Sequence, residues 1–238
     1  MSLLQNNTML HKSWISNIQI YTDEWKTFRL GKFTSSKAVD LMAEKDVSVG
    51  FLSYVDQKVG EYISGQNIAY EDDEIEDENT VWGLQYEPEA LNKFGLKMGI
   101  KYLVTQKIIH QPGTLFSSTP DALHIINSSL IKEDCYNVAS VEVKCPRKYP
   151  RFLALYRCNT PADLKKVSKK YYFQVIDQMY NCCASIGYFA CYHPLFPEGK
   201  NLKIITFSKL ELWDDFSRLA ERKILAEKKF KEALSAFT

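Results

Sequence analysis

The stretch Ser140-Val141-Glu142-Val143-Lys144-Cys145-Pro146 decides the fold, because it reads as a short strand with two different faces. Side chains alternate across a strand, so Val141 and Val143 point to one face and Glu142 and Lys144 to the other. The closing proline ends the strand, since it cannot donate a backbone hydrogen bond to a neighbouring strand. The segment therefore predicts a strand that packs one face into a core and presents a carboxylate beside an ammonium on the other. A solvated strand is the alternative for this pair taken alone.

A second signal lies upstream, where Thr119-Pro120-Asp121 resembles the turn of a hairpin. Together the two segments spell PD…E-x-K. Mg²⁺ prefers oxygen ligands and keeps several waters, so Asp121, Glu142 and the backbone carbonyl of Val143 are predicted to hold it, with Mn²⁺ expected to substitute. Lys144 would hold or deprotonate a water and offset the charge that develops on the phosphate. The pattern predicts a nuclease that uses one or two divalent cations.

Two further polar residues are candidates for the same site. Glu87 precedes a proline near the predicted start of a helix, where it would bind a second cation or only interact favourably with the helix dipole. Gln174 shares a helix face with Tyr171 and Gln178, opposite an apolar face, as expected for a helix that lines a cleft. A surface glutamine is the alternative for Gln174.

Composition bounds the class of protein. The 238 residues contain 45% hydrophobic side chains and lack a long apolar run, so the sequence predicts one large globular domain without a membrane span. The six cysteines show no metal-ligand spacing, and the N-terminus has no signal-peptide layout, so we expect reduced thiols and an intracellular protein, in the cytoplasm of a bacterial or other host cell.

Charge is unevenly distributed. The net charge is +1, but residues 71–78 hold seven of the 29 acids, which leaves 30 basic and 22 acidic residues, or +8, elsewhere. That acidic stretch is predicted to be a solvated loop. Basic residues interleaved with tyrosines follow the central strand, which favours a phosphate-binding track over a merely solvated surface. They are Lys144, Arg147, Lys148, Arg151, Arg157, Lys165, Lys166, Lys169 and Lys170, with Tyr149, Tyr156, Tyr171 and Tyr172.

The order of elements predicts an α/β fold, a restriction-endonuclease-like core with a central mixed sheet flanked by helices. We expect a single domain over 1–238, with a helical N-terminal part over about 1–98 and a catalytic core over about 99–238. Helices are predicted at 37–45 (capped by Ser35 or Ser36), 47–66, 82–98, 165–185 and 209–236, and late strands at 186–193 and 202–208.

Six segments in this order resemble the phage lambda exonuclease and YqaJ-like viral recombinase family of the PD-(D/E)-x-K nuclease superfamily. They are Arg29-Leu30-Gly31-Lys32-Phe33-Thr34-Ser35-Ser36, Trp82-Gly83-Leu84-Gln85-Tyr86-Glu87, Thr119-Pro120-Asp121, Val141-Glu142-Val143-Lys144-Cys145-Pro146, Tyr172-Phe173-Gln174-Val175 and Tyr188-Phe189-Ala190-Cys191-Tyr192-His193-Pro194. PD…E-x-K alone is a weak match, whereas the collinear segments around it are a strong one.

The resemblance implies a Mg²⁺-dependent 5′→3′ exonuclease that acts on double-stranded DNA ends. It also implies a homo-oligomer, with a ring-shaped trimer favoured, and a single-strand annealing protein as a further candidate partner. It implies Asp121 and Glu142 as metal ligands, Lys144 as catalytic lysine, Glu87 as second-metal acid and Gln174 as site-lining amide. Arg29 and Ser36 match the family's pocket for the DNA 5′-phosphate, which suits a guanidinium and a hydroxyl physically.

The chain departs from the family pattern at Ala122, where glycine is usual, at the acidic stretch 71–78 and across 147–170. The family's ring-shaped assembly and the DNA contacts in the channel of that ring therefore cannot be carried over directly to this chain. Two other functions remain open: a structure-specific or nicking endonuclease of the same superfamily, and a catalytically silent scaffold that binds DNA ends for recombination. A circular duplex substrate distinguishes the first, and the intact acid and lysine set argues against the second.

Overall fold

The computed structural model describes residues 9–43, 47–67, 78–126 and 134–237. The helices in these ranges are α1 (Asp23–Arg29), α2 (Ala38–Leu41), α3 (Val49–Ser64), α4 (Glu78–Met98), α5 (Tyr149–Tyr156), α6 (Pro161–Val167), α7 (Lys169–Asn181) and α8 (Trp213–Leu234). The strands are β1 (Leu10–His11), β2 (Ile15–Ser16), β3 (Phe33–Thr34), β4 (Val104–Thr105), β5 (Ile108–Ile109), β6 (Phe116–Ser117), β7 (Ala122–Ile125), β8 (Cys135–Tyr136), β9 (Val138–Lys144), β10 (Ile186–Tyr192) and β11 (Leu202–Ser208). No helix among the described residues is long and apolar enough to span a membrane.

Five strands form the central sheet, in the order β11-β10-β9-β7-β4. The β9 and β10 strands run parallel, and the other neighbours are antiparallel, so the predicted mixed sheet is confirmed. Parallel neighbours need a crossover connection, and helices α5 to α7 supply it. The middle strand of the sheet is β9. Its successive side chains point to opposite faces, so it packs against elements on both sides of the sheet.

The two faces of β9 meet different helices. Val141, Val143 and Cys145 belong to a buried cluster that includes Leu91 and Phe94 of α4. The opposite face, with Glu142 fully buried, lies against α7. The sheet is therefore sandwiched, and the two-faced pattern of the sequence is confirmed. The same alternation that builds the core aims the acid and the lysine into one place.

Short strands tie the N-terminal segment to the core: β1 pairs with β8, β2 with β5, and β3 with β6. Between α1 and β3 the chain turns at Gly31, whose φ of +68° suits glycine. The Gly31 N–H donates to the buried Glu61 carboxylate at 3.1 Å. This turn carries the chain from Arg29 towards Ser36.

Several predicted element bounds are wrong. Neither Ser35 nor Ser36 caps a helix, because a 3₁₀ turn spans Ser35–Lys37 and the following helix ends at Leu41. The helix predicted at 165–185 is two helices that break at Ser168, whose hydroxyl caps the second one by accepting from the Tyr171 N–H. The acidic stretch lies outside the described residues, except for Glu78.

A third correction concerns the Pro-Asp segment. The hairpin in this region joins β7 to β9, so its connection follows β7. Thr119-Pro120-Asp121 instead comes directly before β7. Asp121 therefore reaches the site from the start of a strand that is the hydrogen-bonded neighbour of β9.

Candidate active site

One cavity of about 200 Å³ collects the predicted site residues from six separate parts of the chain. Every predicted side chain other than that of Val143 lines it: Arg29, Ser36, Glu87, Asp121, Glu142, Lys144 and Gln174. They come from α1, the turn before α2, α4, the segment before β7, strand β9 and helix α7. The sequence resemblance placed these residues in one site, and the structure brings them into one cavity.

Glu142 is at the centre of a set of hydrogen bonds. Its side chain has no exposed surface, so an ionised carboxylate there needs donors. Gln174 Nε2 donates to Oε1 and Gln178 Nε2 donates to Oε2, each at 2.5 Å. Lys144 forms an ion pair with Oε1. Both carboxylate oxygens are therefore oriented by α7, and Gln174, itself 8% exposed, is not a surface glutamine.

Asp121 lies on the neighbouring strand, where its Oδ2 accepts a hydrogen bond from the Val143 N–H at 2.6 Å. Burial raises the pKa of this carboxyl well above its usual range, and the charge of Glu142 raises it further. Lys144 and the Val143 N–H act in the opposite direction but do not offset this rise. The carboxylate is thus held in place by backbone geometry while its negative charge remains poorly compensated.

The Lys144 ammonium lies near both an acid, Glu142, and an aromatic ring. Burial lowers its pKa, but Glu142 and Asp121 outweigh burial and raise it above the ordinary value. The amine lies 5.6 Å from the centre of the Tyr171 ring, a distance that allows a cation–π contact. The charges of the two acids therefore favour the protonated form of Lys144.

The donor set fits a hydrated Mg²⁺ ion. Among the described residues no three His, Cys, Asp or Glu side chains lie together as a ready metal cage. Mg²⁺ does not need one, because it is held by one or two carboxylates together with waters and substrate phosphate. Asp121 and Glu142 would supply that pair, and a bound cation would lower the raised pKa of Asp121.

Glu87 lies in the middle of α4, because that helix begins at Glu78. The alternative of an acid in the first helical turn is therefore wrong. Burial raises the pKa of Glu87; Lys144 lowers it and Glu142 raises it further. Pro88 follows inside the helix and cannot donate to the Leu84 carbonyl one turn earlier. Glu87 thus joins the acids of the cavity from the helix on the other side of the sheet.

Arg29 and Ser36 lie in the same cavity as the acids. The Arg29 guanidinium is 4.2 Å from the centre of the Trp25 ring, which fixes its plane by a cation–π contact. The Ser36 hydroxyl lies 3.3 Å from that of Thr34. The adjacent Ser35 hydroxyl donates to Asp177 at 2.6 Å, so this short segment is tied to α7.

A wider groove of about 540 Å³ adjoins the cavity, since Ser36, Glu87, Lys144 and Gln174 line both. Its basic side chains beyond Lys144 are Arg147, Lys148, Arg151 and Lys170, and its aromatic ring is Tyr171. Arg151 lies 5.0 Å from the centre of that ring.

Only part of the predicted basic track therefore lines the groove. Lys165 instead forms an ion pair with Asp215 at 2.8 Å. Tyr172 is buried and donates to the same aspartate. Arg147 also pairs with Glu78, the one described residue of the acidic stretch.

Sequence reasoning missed some residues of the cavity. Gln178 was placed on the face of Gln174 by helical spacing, but its bond to Glu142 was not assigned. Tyr21 and Gln106 carry no motif, and only the folded chain brings them to the cavity wall. Asp177 does not line the cavity but accepts from Ser35, which does, and it pairs with the buried Lys223 at 2.6 Å. No local pattern of the sequence connects Asp177 with Ser35.

A mixed sheet flanked by helices, with two acids and a lysine on neighbouring strands, defines the restriction-endonuclease-like fold class. Within it, the chain belongs to the YqaJ-like viral recombinase domain family, whose model matches residues 24–183. No curated protein sequence matches the chain.

Solved structures agree on the fold. LHK-Exo, an alkaline exonuclease from Laribacter hongkongensis, is 18% identical, with TM-scores of 0.63 for its complex with dAMP and 0.62 for a second structure. Each alignment covers 89% of this chain and 96% of the other. A phage-related exonuclease from Haemophilus somnus 129PT is 13% identical with a TM-score of 0.60, over 87% and 96% of the two chains. These likenesses establish the restriction-endonuclease-like core that the sequence predicts.

Proposed function

We propose that this protein is a Mg²⁺-dependent 5′→3′ exonuclease that degrades one strand of linear double-stranded DNA from its end. The observation that carries the proposal is the shared cavity: the Arg29 and Ser36 pair and the acid and lysine set face the same space. The family membership and the exonuclease neighbours support a nuclease.

The arrangement supports the proposed 5′→3′ direction. A 5′-phosphate held by Arg29 and Ser36 puts the next phosphodiester of that strand beside Asp121 and Glu142, so hydrolysis would release one nucleotide from the 5′ end. At about 200 Å³, the cavity is smaller than the roughly 300–1,000 Å³ of ordinary ligand pockets. Such a small volume favours action on a strand end over cleavage within a helix.

Each residue then has a defined task. A bound Mg²⁺ ion would supply a Lewis acid that polarises the phosphodiester and makes a water more acidic. Asp121 and Glu142 would hold that ion, with the Val143 carbonyl as third oxygen and Glu87 available to a second ion. Gln174 and Gln178 orient Glu142 through its two oxygens. The Lys144 ammonium would offset the charge that builds on the phosphate during attack.

The groove beside the cavity suits the rest of the DNA. Arg147, Lys148, Arg151 and Lys170 offer cations to backbone phosphates, and this contact is independent of sequence. We further propose that the active protein is a homo-oligomer, with a trimer first, because enclosing the DNA keeps a nuclease on one end without very tight binding. A single-strand annealing protein is the proposed partner for the strand that remains.

Purified protein, Mg²⁺ and a 5′-phosphorylated linear duplex test the proposal, with a closed circular duplex of the same sequence and an EDTA sample beside it. Mononucleotides from the linear duplex alone, and none in EDTA, are the expected result. Cleavage of the circle would support the endonuclease instead. Tight binding of ends without any product, in Mg²⁺ or Mn²⁺, would support the scaffold. An Asp121→Asn variant is the matched control, since it keeps the side-chain shape and removes the charge.

A further inference from the structure

Backbone strain is concentrated at the site cavity. Among the described residues, three that are not glycine have positive φ: Tyr21 (65°), Gln106 (57°) and Cys183 (52°). Tyr21 and Gln106 both line the cavity. A positive φ is costly for a large side chain and persists only where the surroundings hold it, most often at functional sites. Neither residue has a task in the hydrolysis described above.

Tyr21 extends a row of contacting side chains that begins at Arg29, the proposed ligand of the 5′-phosphate. The centre of the Tyr21 ring lies 5.4 Å from that of Trp25, and the Arg29 guanidinium lies 4.2 Å from the centre of the Trp25 ring. Trp25 is buried, whereas Tyr21 keeps 59% of its surface exposed. This row of contacts therefore ends in a solvent-exposed aromatic ring on the cavity wall.

Tyr21 also shares the cavity with both charged parts of the site, Arg29 and the acids. Desolvation raises the pKa of Tyr21; the charges of Glu87 and Asp121 raise it further, and those of Lys144 and Arg29 lower it. Tyr21 is thus within electrostatic reach of the acids and of Arg29 together. In the proposed reaction the group that joins the 5′-phosphate to the scissile phosphodiester is the terminal nucleoside. A residue that lines the cavity together with Arg29 and the acids would therefore be a neighbour of that nucleoside.

We propose that Tyr21 and Gln106 form the binding site for the nucleobase of the 5′-terminal nucleotide, an inference that rests on the proposed exonuclease function. The Tyr21 ring stacks on the base, which every base permits because each has a π face. The Gln106 amide supplies a donor and an acceptor to the edge of the base. Separating the terminal base from its partner strand is the step that this site would favour.

Two duplexes test the site: one with an ordinary 5′-phosphorylated terminal nucleotide and one whose terminal nucleotide is abasic. Wild-type protein should digest the first faster. Tyr21→Leu should slow removal of the ordinary nucleotide about 10- to 100-fold, the range of one base–aromatic stack, and leave the abasic rate unchanged. Tyr21→Phe keeps the ring and should behave as wild type. Tyr102→Leu is the matched control, because Tyr102 is 84% exposed and lines neither cavity nor groove.

A binding measurement separates stacking from turnover. With 2-aminopurine as the terminal base and EDTA present, binding of wild type or Tyr21→Phe should quench the fluorescence, and binding of Tyr21→Leu should not. Should Tyr21→Leu melt early, Tyr21→Asn replaces it, since asparagine tolerates a positive φ and has no ring. Equal slowing on both duplexes, or unchanged quenching, would overturn the base site and leave the exonuclease proposal standing. A wild type that digests no linear duplex would overturn the exonuclease proposal itself.

Discussion

Gln178→Leu is the sharpest test of how the site holds its central acid. The change removes the donor to Glu142 Oε2 at nearly constant volume and leaves Gln174 and Lys144 in place. A hydrogen bond to a buried charged group contributes about 1.5–3 kcal/mol. The Gln178 Oε1 atom has no hydrogen-bond partner among the described residues, so leucine also removes a buried unpaired carbonyl, and we expect the lower end of this range.

For a chain of this size, each kcal/mol shifts the melting temperature by about 2–4 °C, so the metal-free variant should melt about 3–6 °C lower. Because Glu142 is a proposed metal ligand, loosening it should also raise the Mg²⁺ concentration needed for half-maximal activity about 10-fold or more, as for other residues that orient metal ligands. Circular dichroism in EDTA gives the first quantity. A Mg²⁺ titration of DNA digestion gives the second, and Mn²⁺ binding measured by electron paramagnetic resonance gives an estimate that does not depend on activity.

Gln57 offers a matched control. Its Nε2 donates to the buried Glu61 at 3.0 Å, and Lys58 pairs with the same carboxylate at 2.8 Å, so the arrangement repeats that of Glu142 away from the cavity. Gln57→Leu should lower the melting temperature and leave the Mg²⁺ dependence unchanged. If Gln178→Leu also left the Mg²⁺ dependence and Mn²⁺ affinity unchanged, the residue would be structural and the reasoning refuted.

Four further predictions follow from the site. The pKa of Asp121 is raised in the folded protein, so its contribution to the free energy of unfolding is present at low pH and is lost as the pH rises through that pKa. Metal-free Asp121→Asn should therefore melt above wild type at about pH 8 and lose this advantage towards about pH 4. Equal melting at both pH values would contradict the charge assignment. Lys144→Ala should abolish cleavage while the circular dichroism spectrum is unchanged, and full activity would remove the lysine from the reaction. Arg29→Ala should slow digestion of a 5′-phosphorylated duplex about 10- to 100-fold more than that of a 5′-hydroxyl duplex, with Arg29→Lys in between, whereas equal slowing would make Arg29 structural. Light scattering should find a trimer, and a monomer at micromolar concentration would exclude the ring.

Much of the site follows from local sequence. Alternation along β9 predicts a buried apolar face and a face with Glu142 and Lys144, because successive side chains of any strand point in opposite directions. Helical spacing likewise puts Gln174 and Gln178 on one face of α7. The order of elements predicts the mixed sheet, and the family segments bring in Arg29, Ser36 and Glu87. Each of these inferences uses residues that are close together in the chain or match a known order.

Only the folded chain decides how these pieces meet. The three-dimensional packing puts Gln174 and Gln178 on opposite oxygens of Glu142, more than 30 positions away, and sets the Val143 N–H on Asp121. It also puts Glu87 in mid-helix and gives Tyr21 its strained backbone at the cavity wall. The physical reason is that burial, hydrogen bonding and pKa depend on distances between segments, and a one-dimensional pattern contains no such distances. The sequence by itself determined which residues are candidates for the chemistry; the tertiary structure decided which of them share hydrogen bonds, an ion pair and a cavity.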